Sequence, residues 1–193
     1  MKVKFFVEDK AHVKFLIDFV KERFNVELAD ADFYKLNSWA GYKEGGIALP
    51  DYEQNTNNDI TNITILDADN NPEERRNIVR TDFTDLNIQS HLFLFPNDNA
   101  IGAIETVLVA IAIERKIIDC FEAYEKCIDG YKKPVIKSKI FAYLDALLEE
   151  KFKKNNRKDL LQEKNRNYRN KKHWDLNHTY LDPLFQFLAQ FFV

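Results

Sequence analysis

The chain alternates short, unbroken apolar runs with longer segments in which apolar residues recur every three or four positions. KVKFFV, Lys2 to Val7, stays compact until it meets Glu8, and the run predicts a strand. Val13, Leu16, Ile17, Val20 and Phe24 then fall at helical spacing from Ala11 to Phe24, with Asp9 placed to cap the helix. DFYKLNSW, Asp32 to Trp39, alternates and is aromatic, so it reads as a second strand running into Gly41, Gly45 and Gly46. Tyr52 to Asn62 is polar and Asn-rich and reads as a loop, with at most a helical turn before it. NITILDAD, Asn62 to Asp69, is the clearest strand. Behind it, Asn71 as cap, Pro72 at the first position and Glu73 and Glu74 in the first turn predict a helix.

A third unit of the same kind follows, with SHLFLFP as a buried strand and Ala103 to Lys116 as one helix, apolar nearly all round. Strands that are apolar runs, separated by helices, indicate a parallel sheet covered on both faces. The expected fold class is therefore α/β, with three layers and a central, mostly parallel sheet of about four strands. After Gly130 the pattern changes. Ile136, Ile140, Leu144, Leu147 and Leu148 mark an amphipathic helix, and YLDPLFQFLAQFFV closes the chain with an apolar one. No repeat or Gly/Ser/Pro-rich linker divides the sequence, which reads as a single domain over 1–193. Its core spans 1–120, a helical addition spans 131–193, and a basic segment within that addition spans 151–172.

Composition adds limits. A length of 193 residues suits one domain with a sizeable core, and 13% aromatics with only five glycines and five prolines argue against disorder. The first residues lack the long apolar stretch of a signal peptide, and the longest apolar stretch, Ile101 to Ile113, holds Glu105 and is too short to span a bilayer. A cytoplasmic protein with no membrane partner is expected. Cys120 and Cys127, seven apart, share one helix face and read as reduced, partly buried thiols. Between Lys151 and Lys172, ten basic residues face two acids, a local balance of +8 within a chain of net charge -3. Such a stretch suits a nucleic-acid backbone, DNA or RNA, and equally a solvated face. Lys153, Lys154, Arg157, Arg166 and Arg169 are its candidate phosphate contacts.

In a parallel sheet, ligands bind beyond the carboxyl ends of the strands. Glu8 closes the first strand and Asp67 the third, and a brief extended stretch would point Asp69 to the same side as Asp67. If those strands are neighbours, three carboxylates converge. Like charges so gathered raise one another's pKa unless a cation intervenes, and hard oxygen ligands suit Mg2+ or Mn2+. Taken singly, Glu8 is a strand end facing water, Asp67 a partner for the next helix and Asp69 a turn residue. Glu105 is either an acid in the first turn of a helix or a further metal ligand. His12 reads as a surface helix residue, and His173 and His178 lack partners at zinc spacing.

Glu8 after the first strand and Asp67-Ala68-Asp69 after a later one resemble the two motifs of the Toprim domain, which is shared by topoisomerases, bacterial-type primases, recombination-repair proteins and a group of nucleases. FFVEDKAHVKFL, ITILDADNNPEERRN, LFLFPNDNAIGAIETVL and LDPLFQFL together resemble a small prokaryotic family of stand-alone Toprim-like proteins. The resemblance implies a compact sheet of about four parallel strands between helices. It also implies Glu8 as general acid, general base or metal ligand, with Asp67 and Asp69 holding magnesium. The family's glutamate is usually followed by Gly, two variable residues and Asp, whereas here Asp9 replaces the Gly and His12 the Asp.

Two functions follow from the resemblance. One is a Mg2+-dependent nuclease or other phosphodiester-processing enzyme acting on nucleic acid, with Glu8 catalytic, Asp67 and Asp69 on the ion and Glu105 in support. The other is a non-catalytic Toprim-like module that binds nucleic acid, a protein partner or a second copy of itself, and Asp9 and His12 favour it. A phosphatase of the haloacid-dehalogenase type ranks last, since it carries its Asp-x-Asp on the first strand.

Overall fold

A computed structural model describes residues 2–43, 48–148 and 162–193. Four strands, β1 (Val3–Val7), β2 (Phe33–Lys35), β3 (Thr61–Asp67) and β4 (His91–Phe95), form one sheet in the order β2-β1-β3-β4, every pair parallel. The chain turns one way from β1 to β2 and the other way from β3 to β4, so β1 and β3 are neighbours at the point where the strand order reverses. That point is where open α/β sheets place ligands.

Helices cover both faces, which is why the strands are apolar runs. Phe5, Val7, Ile63, Ile65, Phe93 and Phe95 pack with α1 (Lys10–Phe24), α4 (Ile104–Ala110), α6 (Ile136–Leu147) and α7 (Asp182–Phe192). Phe6, Leu66 and Leu94, of opposite parity, pack with α2 (Leu49–Asn57) and α3 (Pro72–Asp85). The fold class is α/β, in three layers, with the sheet wholly parallel. Among the described residues no helix is long and apolar enough to cross a membrane.

The caps form as the sequence implies. Asp9 accepts from the amides of Ala11 and His12 at the start of α1, and Asn71 caps α3 ahead of Pro72. Three elements differ from expectation. The Asn-rich stretch read as a loop is largely α2, because Tyr52 and Asn55 bury against β3. There the Tyr52 hydroxyl meets Thr64 Oγ1 at 2.9 Å and Asn55 donates to Asn62 at 2.8 Å. Strand β2 stops after three residues, just before Asn37, which takes a left-handed conformation at φ 62°. The single helix expected over Ala103 to Lys116 is broken. Ala112 bridges to Trp174 and Asp175 N bonds Ile111 O, so this backbone is spent on a distant segment, and α5 (Arg115–Cys127) begins anew. Cys120 and Cys127 are free and exposed on α5, not partly buried.

Candidate functional site

Residue parity along β3 sends Asp67 to the same face as Ile63 and Ile65, towards α1 and α4. Its Oδ1 accepts from His12 Nε2 at 3.1 Å and from the Ile104 amide at 3.0 Å. Its own amide donates to Glu8 Oε2 at 3.2 Å, which fixes Glu8 and Asp67 side by side across the β1–β3 boundary. Burial, and after it the Asp67 charge, push the Glu8 carboxyl up to about 7.

His12 corrects the sequence reading. It is not on the surface but fully buried. Its Nδ1 lies 2.9 Å from Asp9 Oδ1 and its Nε2 faces Asp67, with the Phe95 ring 5.3 Å away. Burial opposes a charge on the ring, but Asp67 and Asp9 outweigh it and push the imidazole up to about 10. The same partnership outweighs burial at Asp9 and holds its carboxyl well below the usual range. The signal for this residue was in the sequence, since His12 falls in line with Phe15, Leu16 and Phe19 on the buried stripe of α1.

Asp69 does not join Asp67. Its backbone is left-handed at φ 54°, and it pairs with Gly102 through two hydrogen bonds, Asp69 N to Gly102 O and Gly102 N to Asp69 O. Its exposed carboxylate is held by the Arg75 guanidinium of α3, which stacks 4.1 Å from the centre of the Trp39 ring. Trp39, Asp69, Asn70, Asn71, Glu74 and Arg75 border a cavity of about 370 Å³ on that side. Glu105, in the first turn of α4, is buried and faces Lys137 of α6 at 3.4 Å. Burial opposes the Lys137 charge, but Glu105 and Glu163 outweigh it and raise its pKa. Arg75 and Lys137 were not singled out in the sequence, because each is identified only by the carboxylate it meets.

Of the basic candidates, Lys153, Lys154 and Arg157 lie outside the described residues. Arg166 is buried over the Phe141 ring, and its Nη1 sits 3.5 Å from the Tyr168 hydroxyl. Arg169 is exposed and 3.9 Å from Glu22, which also takes Lys171 at 2.8 Å.

Magnesium and manganese take about six oxygens in a near-octahedral shell. The candidate residues as they stand do not fit one. Asp67 Oδ1 is engaged by His12 and the Ile104 amide, Asp69 by Arg75 and Glu105 by Lys137. Among the described residues, no three His, Cys, Asp or Glu side chains gather as a ligand set. No family model matches the chain, and neither the curated proteins nor the solved structures compared with it include a match.

Proposed function

We propose that the chain is a Toprim-like module that binds nucleic acid rather than cleaving it. The observation that carries this reading is the internal neutralisation of the site. The acids that would hold an ion are met by cations of the same chain, Asp67 by His12 and Asp69 by Arg75. The likeness to the Toprim domain is supported by the adjacency of β1 and β3, which sets Glu8 beside Asp67. The +8 balance of the 151–172 sequence supports nucleic acid as the partner.

A second reading, a Mg2+- or Mn2+-dependent nuclease, is favoured by Glu8. A carboxyl near 7 exchanges a proton at neutral pH, as a general acid or base must. One experiment separates the two. Single- and double-stranded DNA and RNA are titrated by fluorescence anisotropy across a salt series and then incubated with each metal. The module reading expects binding that weakens steeply with salt and intact strands throughout. Metal-dependent cleavage that disappears in Glu8→Gln overturns it in favour of the enzyme, and absence of binding to all four substrates overturns both.

A further inference from the structure

We propose that the cavity beside the Asp-x-Asp loop receives one unpaired nucleobase, of the kind that carries an exocyclic amine, so that the module takes single strands in preference to duplex. The proposal rests on the reading of the chain as a nucleic-acid-binding module and names what that module holds.

Topology opens the cavity. The chain leaves β1 for α1 on one face of the sheet and leaves β3 for α3 on the other, while Trp39 follows β2 on the far side of β1. The segments after β2 and β3 therefore flank the carboxyl end of β1, where parallel sheets take ligands. Between them lies the cavity of about 370 Å³, a size typical of small-molecule sites.

Its lining suits a flat, neutral ring and not an anion. Trp39 and Ile78 give it apolar surface, and Ile78 is exposed. Two carboxylates, Asp69 and Glu74, face one cation, Arg75, a balance of -1 that disfavours a phosphate. Arg75 is committed to Asp69 through Nη2 and to the Trp39 ring, so it stiffens the wall. Its Nη1 is buried without a hydrogen-bond partner, and buried donors are nearly always paired, so the wall lacks an acceptor that a ligand can bring. Glu74, the neighbouring residue on α3, accepts from Asn71 Nδ2 at 3.0 Å through Oε2, and an ionised carboxylate accepts at both oxygens. An acceptor thus stands next to a donor. Cytosine presents the complement, an amine N–H beside a ring nitrogen, whereas thymine turns an oxygen to the place of the amine. In a duplex that edge is consumed by pairing and the ring faces by stacking, so only an unpaired base can enter.

Strands of one length and one backbone charge test this. Oligo-dC, oligo-dT and an abasic strand are titrated against the full chain by fluorescence anisotropy at one salt concentration, with tryptophan emission followed in parallel. The chain has two tryptophans and Trp174 is buried, so quenching reports on Trp39. Oligo-dC should bind about 10-fold more tightly than oligo-dT, the abasic strand should be weakest, and oligo-dC should quench where the abasic strand does not. Glu74→Gln, whose amide can also donate, should close most of the gap between oligo-dC and oligo-dT. Trp39→Leu should lower oligo-dC towards the abasic strand; if that variant does not fold, the abasic comparison and Glu74→Gln decide. Equal affinity for oligo-dC and the abasic strand overturns the proposal and leaves the module reading intact. Equal affinity for oligo-dC and oligo-dT in the wild type, or a preference that Glu74→Gln leaves unchanged, overturns it as well. If no strand binds, the module reading fails and free nucleosides decide on the cavity: quenching by deoxycytidine in excess of thymidine sustains it, and no quenching overturns it.

Discussion

Glu8, Asp9 and His12 stand within five residues, yet their environments drive them apart. Glu8 is moved by burial and by Asp67 from 4.5 to about 7. The native state therefore holds this proton more tightly than the unfolded chain, and stability falls as pH rises through the window from 4.5 to about 7. His12 goes from 6.5 to about 10, against its burial and because of Asp67 and Asp9. The stability it contributes is fully present below 6.5 and is lost as pH climbs through about 10. Asp9, depressed by His12 despite burial, contributes stability above 3.8 that is lost as pH falls further. The melting temperature is accordingly expected to decline in two limbs as pH rises, the first between 4.5 and about 7 for Glu8 and the second between 6.5 and about 10 for His12. Glu8→Gln should remove the first limb and leave the second, melting about 2–4 °C above the wild type near pH 8. The check is the difference between the two pH profiles, and a flat difference between pH 4.5 and 7 would show that Glu8 does not titrate there.

Among the elements, the loops after β3 and β4 hold the site together. Asp69 and Gly102 exchange backbone hydrogen bonds at 2.8 and 2.6 Å, tying the Asp-x-Asp loop to the approach of α4. Gly102 sits at φ 130°, and a Cβ there would come within 2.4 Å of Thr106 Oγ1. Gly102→Ala is expected to cost about 1–3 kcal/mol by urea melt and to loosen both loops; an unchanged midpoint would mean that the bridge is dispensable. The sequence was most legible where apolar and polar positions contrast sharply, as in β1, β3, β4, α1 with its Asp9 cap, α3 after Asn71-Pro72, and α7. Helix α2 was hidden because its buried face is Tyr52 and Asn55, whose partners Thr64 and Asn62 lie on a strand read separately. The break between α4 and α5 was hidden because pairing with residues 173–175 imposes it. The adjacency of Glu8 and Asp67 followed from a parallel sheet, but carboxylate direction did not. Asp69 is turned aside by its left-handed backbone and by Arg75 six residues on, and His12, whose burial the stripe of α1 implies, meets its partner Asp67 from 55 residues away.

Across the whole molecule, α7 decides whether the C-terminal third is an addition or part of the core. Leu184, Leu188 and Phe191 are buried in the same cluster as Phe5, Ile63 and Phe93. Ring pairs tie α7 to the end of α1 and to β4, with Phe24 stacked on Phe185 at 5.0 Å and Phe93 against Phe187 at 5.2 Å. His91 of β4 meets Phe191 edge-on at 4.8 Å. This helix therefore closes the face of the sheet on which α1 carries His12, and the site's buried charge depends on water being kept from that layer. Leu188, with no solvent exposure, is the residue to test. Removing its side chain leaves a cavity between helix and sheet, so Leu188→Ala should cost about 2–4 kcal/mol. Urea unfolding is expected to remain a single transition with an unchanged slope and a lower midpoint, because one cooperative unit is being weakened. If α7 were only docked on an independent core, the variant would instead show a shallow early transition for the C-terminal part and a main midpoint like that of the wild type.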